Sequence, residues 1–178
     1  LAELQRRGAR PGDWVLVHKA GEVIPEIIKP IVDRRDGSER EFVMPERCPV
    51  CQARVFRPQG EAVARCTNVD CPARLFESVL HFASRGAMDV DGLGPAIVGE
   101  LMEKGYVKAV SDLYRLTDEQ LFDLTHFKEK AVANLKRSIE ATKERPLARL
   151  LFGLGIRHVG SHVAEVLAGR FGSVQALR

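Results

Sequence analysis

Residues 48–71 read CPVCQARVFRPQGEAVARCTNVDC and contain all four cysteines of the 178-residue chain. The cysteines form a C-x2-C pair and, after fourteen intervening residues, a C-x4-C pair. Two thiolate pairs at such spacing are typical ligands of one tetrahedral zinc ion. The predicted zinc ligands are Cys48, Cys51, Cys66 and Cys71.

No histidine lies between the two pairs, so the sequence predicts a site made of thiolates alone. Such a site has no open coordination position, and its role is therefore to stabilise folding rather than to catalyse a reaction. The alternatives are thiols without metal, or two disulfides in one of the possible pairings. Between the pairs, residues 54–57 and 62–65 alternate apolar and polar side chains, as a short β-hairpin would.

The region before the cysteines, residues 1–45, has the pattern of β-strands. Apolar, β-prone residues predict strands at Trp14–His18 and Val23–Val32, with a turn at Ala20-Gly21, and we expect Trp14 to lie in a core. So short a region cannot form a whole β-barrel. We therefore expect it to be the C-terminal portion of a larger β-domain.

The cysteine region itself, residues 46–72, is predicted to be a small zinc finger, and residues 73–178 are predicted to be helical. Apolar residues recur there at helical spacing, for example at Leu75, Val79 and Phe82. No apolar run reaches the length of a membrane-spanning helix. A thiolate zinc site fits a reducing cytoplasm, and because the chain begins at Leu1 rather than Met we expect it to be part of a longer protein.

Charge is unevenly distributed along the helical region. Residues 81–127 contain 4 basic and 8 acidic side chains, whereas residues 128–178 contain 10 basic and 4 acidic ones. A basic final third indicates an anionic partner such as a phosphate backbone. A solvated Lys/Arg helix surface would explain the charge equally well.

The helical region also repeats itself at three turns: Asp91-Gly92-Leu93-Gly94, His126-Phe127-Lys128 and His158-Val159-Gly160. Each turn is followed by two apolar residues at identical offsets of four and then three residues. These residues are Val98 and Leu101, Val132 and Leu135, and Ala164 and Leu167. The pattern resembles the helix-hairpin-helix DNA-binding motif, although plain turns of a helical bundle would also give it.

Glycine permits positive φ and close approach to a phosphate, and the first amides of the next helix have no partner within that helix. A helix N-terminus of this kind binds anions without reading base sequence. The second turn lacks both glycines, so a tight turn is doubtful there, and its lysines would replace amide contacts with charge. The predicted DNA-binding residues are Gly92, Leu93, Gly94, Lys128, Lys130, Gly155, Arg157, His158, Val159 and Gly160.

Several stretches resemble bacterial NAD-dependent DNA ligases. Residues 81–94, HFASRGAMDVDGLG, and 154–160, LGIRHVG, are similar to signatures of that family. Gly12-Asp13 and residues 20–25, AGEVIP, resemble the end of its OB-fold, and the cysteines resemble its zinc finger. The resemblance implies a multidomain chain: the C-terminal part of an OB-fold over residues 1–45, a four-cysteine zinc finger over 46–72, and an all-α helix-hairpin-helix domain over 73–178.

The chain departs from the family in some respects. The domain would contain three hairpin motifs and the truncated start of a fourth, where the family usually has four. Lys19 replaces the usual arginine. The family's Lys-x-Asp-Gly motif, whose lysine becomes adenylated, is absent: Asp36-Gly37 is preceded by Arg34, which stays protonated and cannot be that nucleophile. We therefore expect no catalytic residue in this chain and no activity from it alone.

By resemblance, the parent enzyme of the bacterial cytoplasm transfers AMP from NAD to a nick in duplex DNA and seals it, in replication and repair. Its missing adenylation domain would bind NAD and magnesium, and a BRCT domain would also be present in cis. This chain would grip double-stranded nicked DNA through the phosphate backbone, with no membrane partner, and would bind zinc. Two other hypotheses are a non-catalytic repair scaffold built from the same zinc and hairpin modules, and a protein–protein interaction module.

Overall fold

The computed structural model describes residues 2–21 and 24–177. The chain divides into two compact units, residues 1–68 and residues 69–178. No helix in the described ranges is both long enough and apolar enough to cross a membrane.

The first unit begins with helix α1 (Ala2–Arg7), followed by strands β1 (Val15–Ala20) and β2 (Ile24–Pro30). The strands pair antiparallel, from Val15 opposite Pro30 to Ala20 opposite Ile24, with an irregularity between Leu16 and Val17. Both predicted strands are thus present with shifted ends. Glu22 and Val23, on which part of the predicted strand and of the AGEVIP resemblance depends, lie outside the described residues.

The segment after this hairpin forms a 3-10 helix (Val32–Arg34) and is held by an ion pair. The Arg35 guanidinium donates to both carboxylate oxygens of Asp13, at 2.6 and 2.7 Å, and to the carbonyl of Gly8 at 2.8 Å. Trp14 is 63% exposed, with the Arg34 guanidinium 5.1 Å from its ring centroid, so the prediction that Trp14 lies in a core is wrong. The hairpin turns the indole outward, and a cation–π contact covers it instead of apolar side chains.

The cysteine region forms the predicted short hairpin. Strands β3 (Val55–Phe56) and β4 (Arg65–Cys66) pair antiparallel, and an isolated bridge joins Arg47 to Arg54.

The second unit is helical, as its apolar spacing predicts. The α-helices are α2 (Pro72–Ala83), α3 (Pro95–Glu103), α4 (Asp118–Phe122), α5 (Glu129–Ala141), α6 (Leu147–Gly153) and α7 (Ser161–Phe171). Three 3-10 helices accompany them in the described residues, at Val110–Arg115, Thr142–Glu144 and Gln175–Leu177. The α2 helix starts with Pro72 at its first position, where the missing N–H has no cost.

One apolar core joins α2 through α5. Val79, Leu101, Leu121 and Leu135 are at most 1% exposed and belong to a single buried cluster that extends from residue 79 to residue 139. Because each of these side chains comes from a different helix, their packing sets the spacing of the turns between the helices.

The α6–α7 pair is attached to α2 by close packing. A Cβ at Gly153 would lie 3.3 Å from the Cβ of Ala87 and 3.4 Å from Phe82, so glycine allows the close approach. His81 Nε2 lies 2.8 Å from the carbonyl of Phe152, and the two rings meet edge to face at a centroid distance of 4.8 Å.

Candidate metal centre and nucleic-acid interface

The cysteine sulfurs form one cluster. The Sγ atoms of Cys48, Cys51, Cys66 and Cys71 all lie within 4.8 Å of one another. A tetrahedron with zinc–sulfur bonds of about 2.3 Å has sulfurs roughly 3.8 Å apart. The Cys51–Cys66 separation of 3.4 Å is close to that value and far above the about 2.05 Å of a disulfide. The cluster therefore fits a tetrahedral zinc ion held by thiolates.

Local backbone structure orients these thiols. The amide of Cys48 donates to Ala53, and Gln52 at the turn has a φ of +58° and donates back to the carbonyl of Cys48. Cys66 ends β4, and Cys71 is the residue immediately before α2. Backbone hydrogen bonds rather than side-chain packing thus direct the cysteines to a common point.

The amides of Cys51 and Val50 hydrogen-bond to the Cys48 sulfur and lower the pKa of that thiol. A thiolate is the form that binds a metal ion. The arrangement around Cys48 therefore favours the ligand state even before a cation is considered.

The three repeated turns have the same backbone structure. Each turn is closed by a hydrogen bond from an amide to the carbonyl three residues earlier, and we call the residue before that amide the tip. The bonds run from Leu93 to Val90 at 3.5 Å, from Phe127 to Leu124 at 3.1 Å, and from Val159 to Ile156 at 2.9 Å. We call them hairpin 1 (residues 90–94), hairpin 2 (residues 124–128) and hairpin 3 (residues 156–160).

The residue at the tip of each hairpin has positive φ: +85° at Gly92, +63° at His126 and +66° at His158. Positive φ at the third residue, following a residue of negative φ, is the feature of a type II turn. The absence of glycine made a tight turn doubtful at hairpin 2, but the structure has the same turn there. Packing of Phe127 and Leu124 against the core holds His126 in the left-handed region.

Each hairpin leads into a helix in the same way. Gly94, Lys128 and Gly160 have extended backbone, and their carbonyls accept the first helical hydrogen bond, at 3.0, 3.0 and 2.9 Å. No side chain caps the N-terminus of α3, α5 or α7. The amides of the first turn, which in α3 are those after Pro95 because proline has no N–H, have no partner within the helix and lie beside the hairpin, where an anion is stabilised.

The structure divides the predicted DNA-binding residues by exposure. Leu93 is 4% exposed and Val159 is half-buried, so these two contribute backbone groups rather than side chains to the surface. Gly155, with a φ of +61°, lies at the end of α6, before hairpin 3. The exposed members of the predicted set are Gly92, Gly94, Lys128, Lys130, Gly155, Arg157, His158 and Gly160.

Several basic residues of the last third have internal partners. Arg149 donates to the carbonyls of Ala87 and Arg85, at 2.5 Å each, and Arg145 pairs with Asp89 at 3.0 Å. Sequence reasoning counted both arginines toward an anion-binding surface, whereas they hold the loop that leads into hairpin 1. Among the described residues, Lys128 and Lys130 form no ion pair and remain available to a ligand.

Two bracing contacts between hairpins 1 and 2 were not predicted. The amide of Asp91 donates to Ser138 Oγ on α5 at 2.7 Å, and the amide and hydroxyl of Thr125 donate to Glu100 Oε1 on α3 at 2.7 and 2.9 Å. Each hairpin is thus fixed by the helix that follows the other. Sequence separations of 47 and 25 residues gave no local signal for either contact.

The fold and site define a chain with a thiolate zinc finger followed by helix-hairpin-helix turns. Residues 47–73 match the family model of the NAD-dependent DNA ligase C4 zinc finger domain, and residues 149–178 match that of the helix-hairpin-helix motif.

The proteins of similar sequence belong to a narrower class, the DNA ligases. The chain is 53% identical over 175 residues to a DNA ligase of Rubrobacter xylanophilus, covering 98% of the chain and 26% of the relative. It is 48% identical over 177 residues to a DNA ligase of Desulfitobacterium hafniense (99% and 27%) and 51% identical over 176 residues to one of Halothermothrix orenii (98% and 26%). The chain spans about a quarter of the length of these relatives.

The resemblance to NAD-dependent DNA ligases is therefore confirmed, as is the order of a zinc finger followed by a helical hairpin region. The assignment of residues 1–45 to an OB-fold, the domain limits, and the roles of the individual site residues remain predictions.

Proposed function

We propose that this chain is the DNA-gripping segment of an NAD-dependent DNA ligase that seals nicks in duplex DNA. The observation that carries the proposal is the threefold recurrence of one turn geometry, each turn followed by an uncapped helix N-terminus. Open amides at such positions bind phosphates irrespective of base sequence. An enzyme that acts on nicks anywhere in a genome needs this kind of contact.

In this proposal each hairpin contacts one strand through its amides, and cationic side chains add counterion release. Hairpin 3 carries Arg157 and His158 at its tip and is the strongest contact. Hairpin 1 offers the closest backbone approach, through Gly92 and Gly94. Hairpin 2 contributes charge through Lys128 and, two residues further, Lys130.

The remaining parts of the chain take supporting roles. The four cysteines bind zinc, which holds residues 46–72 together as a joint. Residues 1–45 are the C-terminal part of an OB-fold that helps to surround the duplex. Thiolate zinc ligands persist in a reducing compartment, here a bacterial cytoplasm.

Catalysis belongs to the rest of the parent enzyme. None of the lysines in this sequence occurs in a Lys-x-Asp-Gly motif, so the adenylation lysine, NAD and magnesium are assigned to a separate domain in cis, with a BRCT domain beyond. The chain's own residues bind and orient the duplex so that this domain can reach the nick.

The glycines of hairpins 1 and 3 allow a sharp test. Gly94 and Gly160 have negative φ and open space where a Cβ would be, so alanine fits there without strain. Gly94→Ala and Gly160→Ala should therefore keep the melting temperature but weaken binding to nicked duplex, because a methyl group obstructs the phosphate. Gly92→Ala is the matched control, since its φ of +85° makes alanine lower stability as well.

Binding is measured by fluorescence anisotropy with duplexes of different sequence at several salt concentrations. We expect a steep fall of affinity with salt and little change with base order. NMR amide shifts at residues 92–94 and 158–160 should respond to DNA. Strong dependence on base order, or affinity that is negligible and insensitive to salt, would contradict the proposal, and the second result would favour a protein-interaction module.

A further inference from the structure

The α6–α7 pair, which carries hairpin 3, is attached differently from the other hairpins. Hairpins 1 and 2 lie between helices that share the buried cluster of residues 79–139. Leu151 on α6 and Ala164 on α7 are buried but do not belong to that cluster, and among the described residues of this pair Leu150 is the one that packs against its edge. Polar contacts and close backbone contacts of α6 therefore have a larger part in placing hairpin 3.

A single arginine of α6 holds the loop that connects α2 to hairpin 1, residues 84–89, which we call the coupling loop. Arg149 donates two hydrogen bonds of 2.5 Å, one to the carbonyl of Arg85 and one to the carbonyl of Ala87. The amide of Ala87 bonds inside the loop, to the carbonyl of Ser84 at 2.9 Å. The loop thus closes on itself through an amide and on α6 through its carbonyls.

The geometry of these bonds favours a guanidinium. Its N–H groups point in fixed, coplanar directions, so one side chain can bridge two carbonyls that lie two residues apart in a turn. The ammonium of a lysine is a point charge on a flexible stem and does not hold two carbonyls in the same directions. Arginine rather than lysine therefore fits position 149, and its hydrogen-bonding edge faces the coupling loop.

Close packing extends this contact along α6. A Cβ at Gly153 would lie 3.3 Å from the Cβ of Ala87, which is so close that one of the two would have to move. The ring of His81, on α2, lies 2.8 Å from the carbonyl of Phe152 and 3.6 Å from the position of a Cβ at Gly155. The end of α2 and the coupling loop thus lead into hairpin 1 and also contact the segment that leads into hairpin 3.

We propose that Arg149 is a positioning residue, which fixes hairpin 1 relative to hairpin 3 so that both bind one duplex at the same time. The inference rests on the proposed DNA-gripping function and adds to it the residue that makes the grip bivalent. When two binding elements are held at the correct spacing, the second binds at a high effective concentration, and the combined affinity exceeds that of either element. Arg149 acts through the coupling loop and does not itself contact DNA.

The test is a double-variant cycle on the full 178-residue, zinc-loaded chain. Affinity for a labelled nicked duplex is measured by anisotropy, at a salt concentration low enough for Gly160→Ala still to bind. Arg149→Lys keeps the charge and should weaken binding by the otherwise unaltered chain about tenfold, because hairpin 3 is no longer held at the correct spacing.

The same substitution should have little effect once hairpin 3 is impaired. In the Gly160→Ala background, Arg149→Lys should change affinity by less than about twofold, because there is no longer a second contact to position. A general loss of folding would weaken binding equally in both backgrounds, and so would loss of a direct contact between Arg149 and DNA.

A second variant tests the coupling without touching the hydrogen bonds. Gly153→Ala changes no charge and places a methyl group against Ala87, so it should displace α6 from the coupling loop and show the same dependence on hairpin 3. Arg137→Lys is the control for the first variant, because within the described residues Arg137 bonds to Asn134 on its own helix. Gly169→Ala is the control for the second, because a Cβ there meets nothing within 4 Å. Neither control should change affinity in either background.

Circular dichroism and zinc content, measured on every variant, show which proteins are folded. If Arg149→Lys melts near the assay temperature, the cycle with Gly153→Ala decides. Unchanged affinity in both test variants, or equal weakening in both backgrounds, would overturn the positioning role and leave the hairpin grip standing. Absence of salt-dependent binding in the unaltered chain would overturn the proposed function itself.

Discussion

His126 and His158 occupy a backbone conformation that non-glycine residues adopt at a cost. Their φ values of +63° and +66° place both in the left-handed region, at the position that Gly92 fills in hairpin 1. The cost for a residue with a Cβ is about 1–2 kcal/mol, partly offset by the lower chain entropy of histidine relative to glycine when unfolded. Such strain persists where the surrounding structure determines it, and it is concentrated at functional sites.

Replacing either histidine with glycine should therefore stabilise the helical unit. We expect His126→Gly and His158→Gly each to raise stability by about 0.5–1 kcal/mol, or roughly 2–4 °C in melting temperature, as followed by far-UV circular dichroism. His162→Gly is the control, because His162 is the second residue of α7 and has no positive φ, so glycine there relieves no strain and should not raise stability. A lower melting temperature for both tip variants would show that the imidazoles make stabilising contacts.

Asp13 gives a residue-scale prediction for pH. Hydrogen bonds from Arg35 and from the amide of Arg10 lower the pKa of its carboxyl from an ordinary 3.8 to about 2, although burial acts in the opposite direction. Because the folded-state pKa is the lower one, this stabilisation is complete above pH 4 and is lost as pH falls toward 2.

The fluorescence of Trp14, the only tryptophan, reports unfolding next to this ion pair. Asp13→Asn should destabilise the first unit at neutral pH and flatten its pH dependence between 4 and 2. Glu3→Gln should have a smaller effect at neutral pH, because the Glu3 side chain is 56% exposed whereas that of Asp13 is 1% exposed, and exposed pairs contribute little. Equal effects of the two substitutions would contradict this account.

At the scale of elements, the brace between α3 and hairpin 2 can be tested within a single helix. Glu100 accepts both the amide and the hydroxyl of Thr125, whereas Glu103, one turn later, is exposed. Glu100→Ala should cost about 1–2 kcal/mol in a urea titration, because two donors lose a charged acceptor. Glu103→Ala should change stability by less than about 0.5 kcal/mol. If the two variants unfold alike, the brace contributes nothing.

Zinc removal tests the other structural element. Chelation should abolish the NMR signals of the β3–β4 pair and leave most helical signal intact, because the buried cluster of the helical unit lies between residues 79 and 139. Elemental analysis should find one zinc per chain, and Cys48→Ser should reduce that content. A metal-free chain with an unchanged finger spectrum would refute the thiolate site.

The sequence specified local features better than distant ones. The repeated offsets after Gly94, Lys128 and Gly160 identified all three hairpins, because the apolar period of a helix is a local property. The presence or absence of glycine did not predict which repeats form a tight turn, because core packing gives His126 a positive φ as well. Helix α1 lacked a clear periodic pattern and was missed. The hydrogen bonds of Arg149 to a loop 62 residues away depend on tertiary structure and left no signal in the local pattern.

At the scale of the whole molecule, we propose that DNA binding and the adenylation reaction belong to different parts of the ligase. The three residues Arg34, Asp36 and Gly37 reproduce the spacing of the adenylation motif except for the nucleophile. In the structure Arg34 ends an exposed 3-10 helix and contacts Trp14, with none of the enclosed surroundings that bind a nucleotide.

Arg34→Lys would complete the motif in sequence and provides a demanding test of this division. Neither the unaltered chain nor Arg34→Lys should acquire AMP when incubated with NAD and magnesium, because a lysine at this exposed surface has no binding pocket for the adenosine beside it. Intact-mass spectrometry would detect a single adduct, and nicked DNA bound to the same sample would show that the protein is folded. Formation of an AMP–lysine adduct in either protein would mean that this segment contains catalytic machinery of its own.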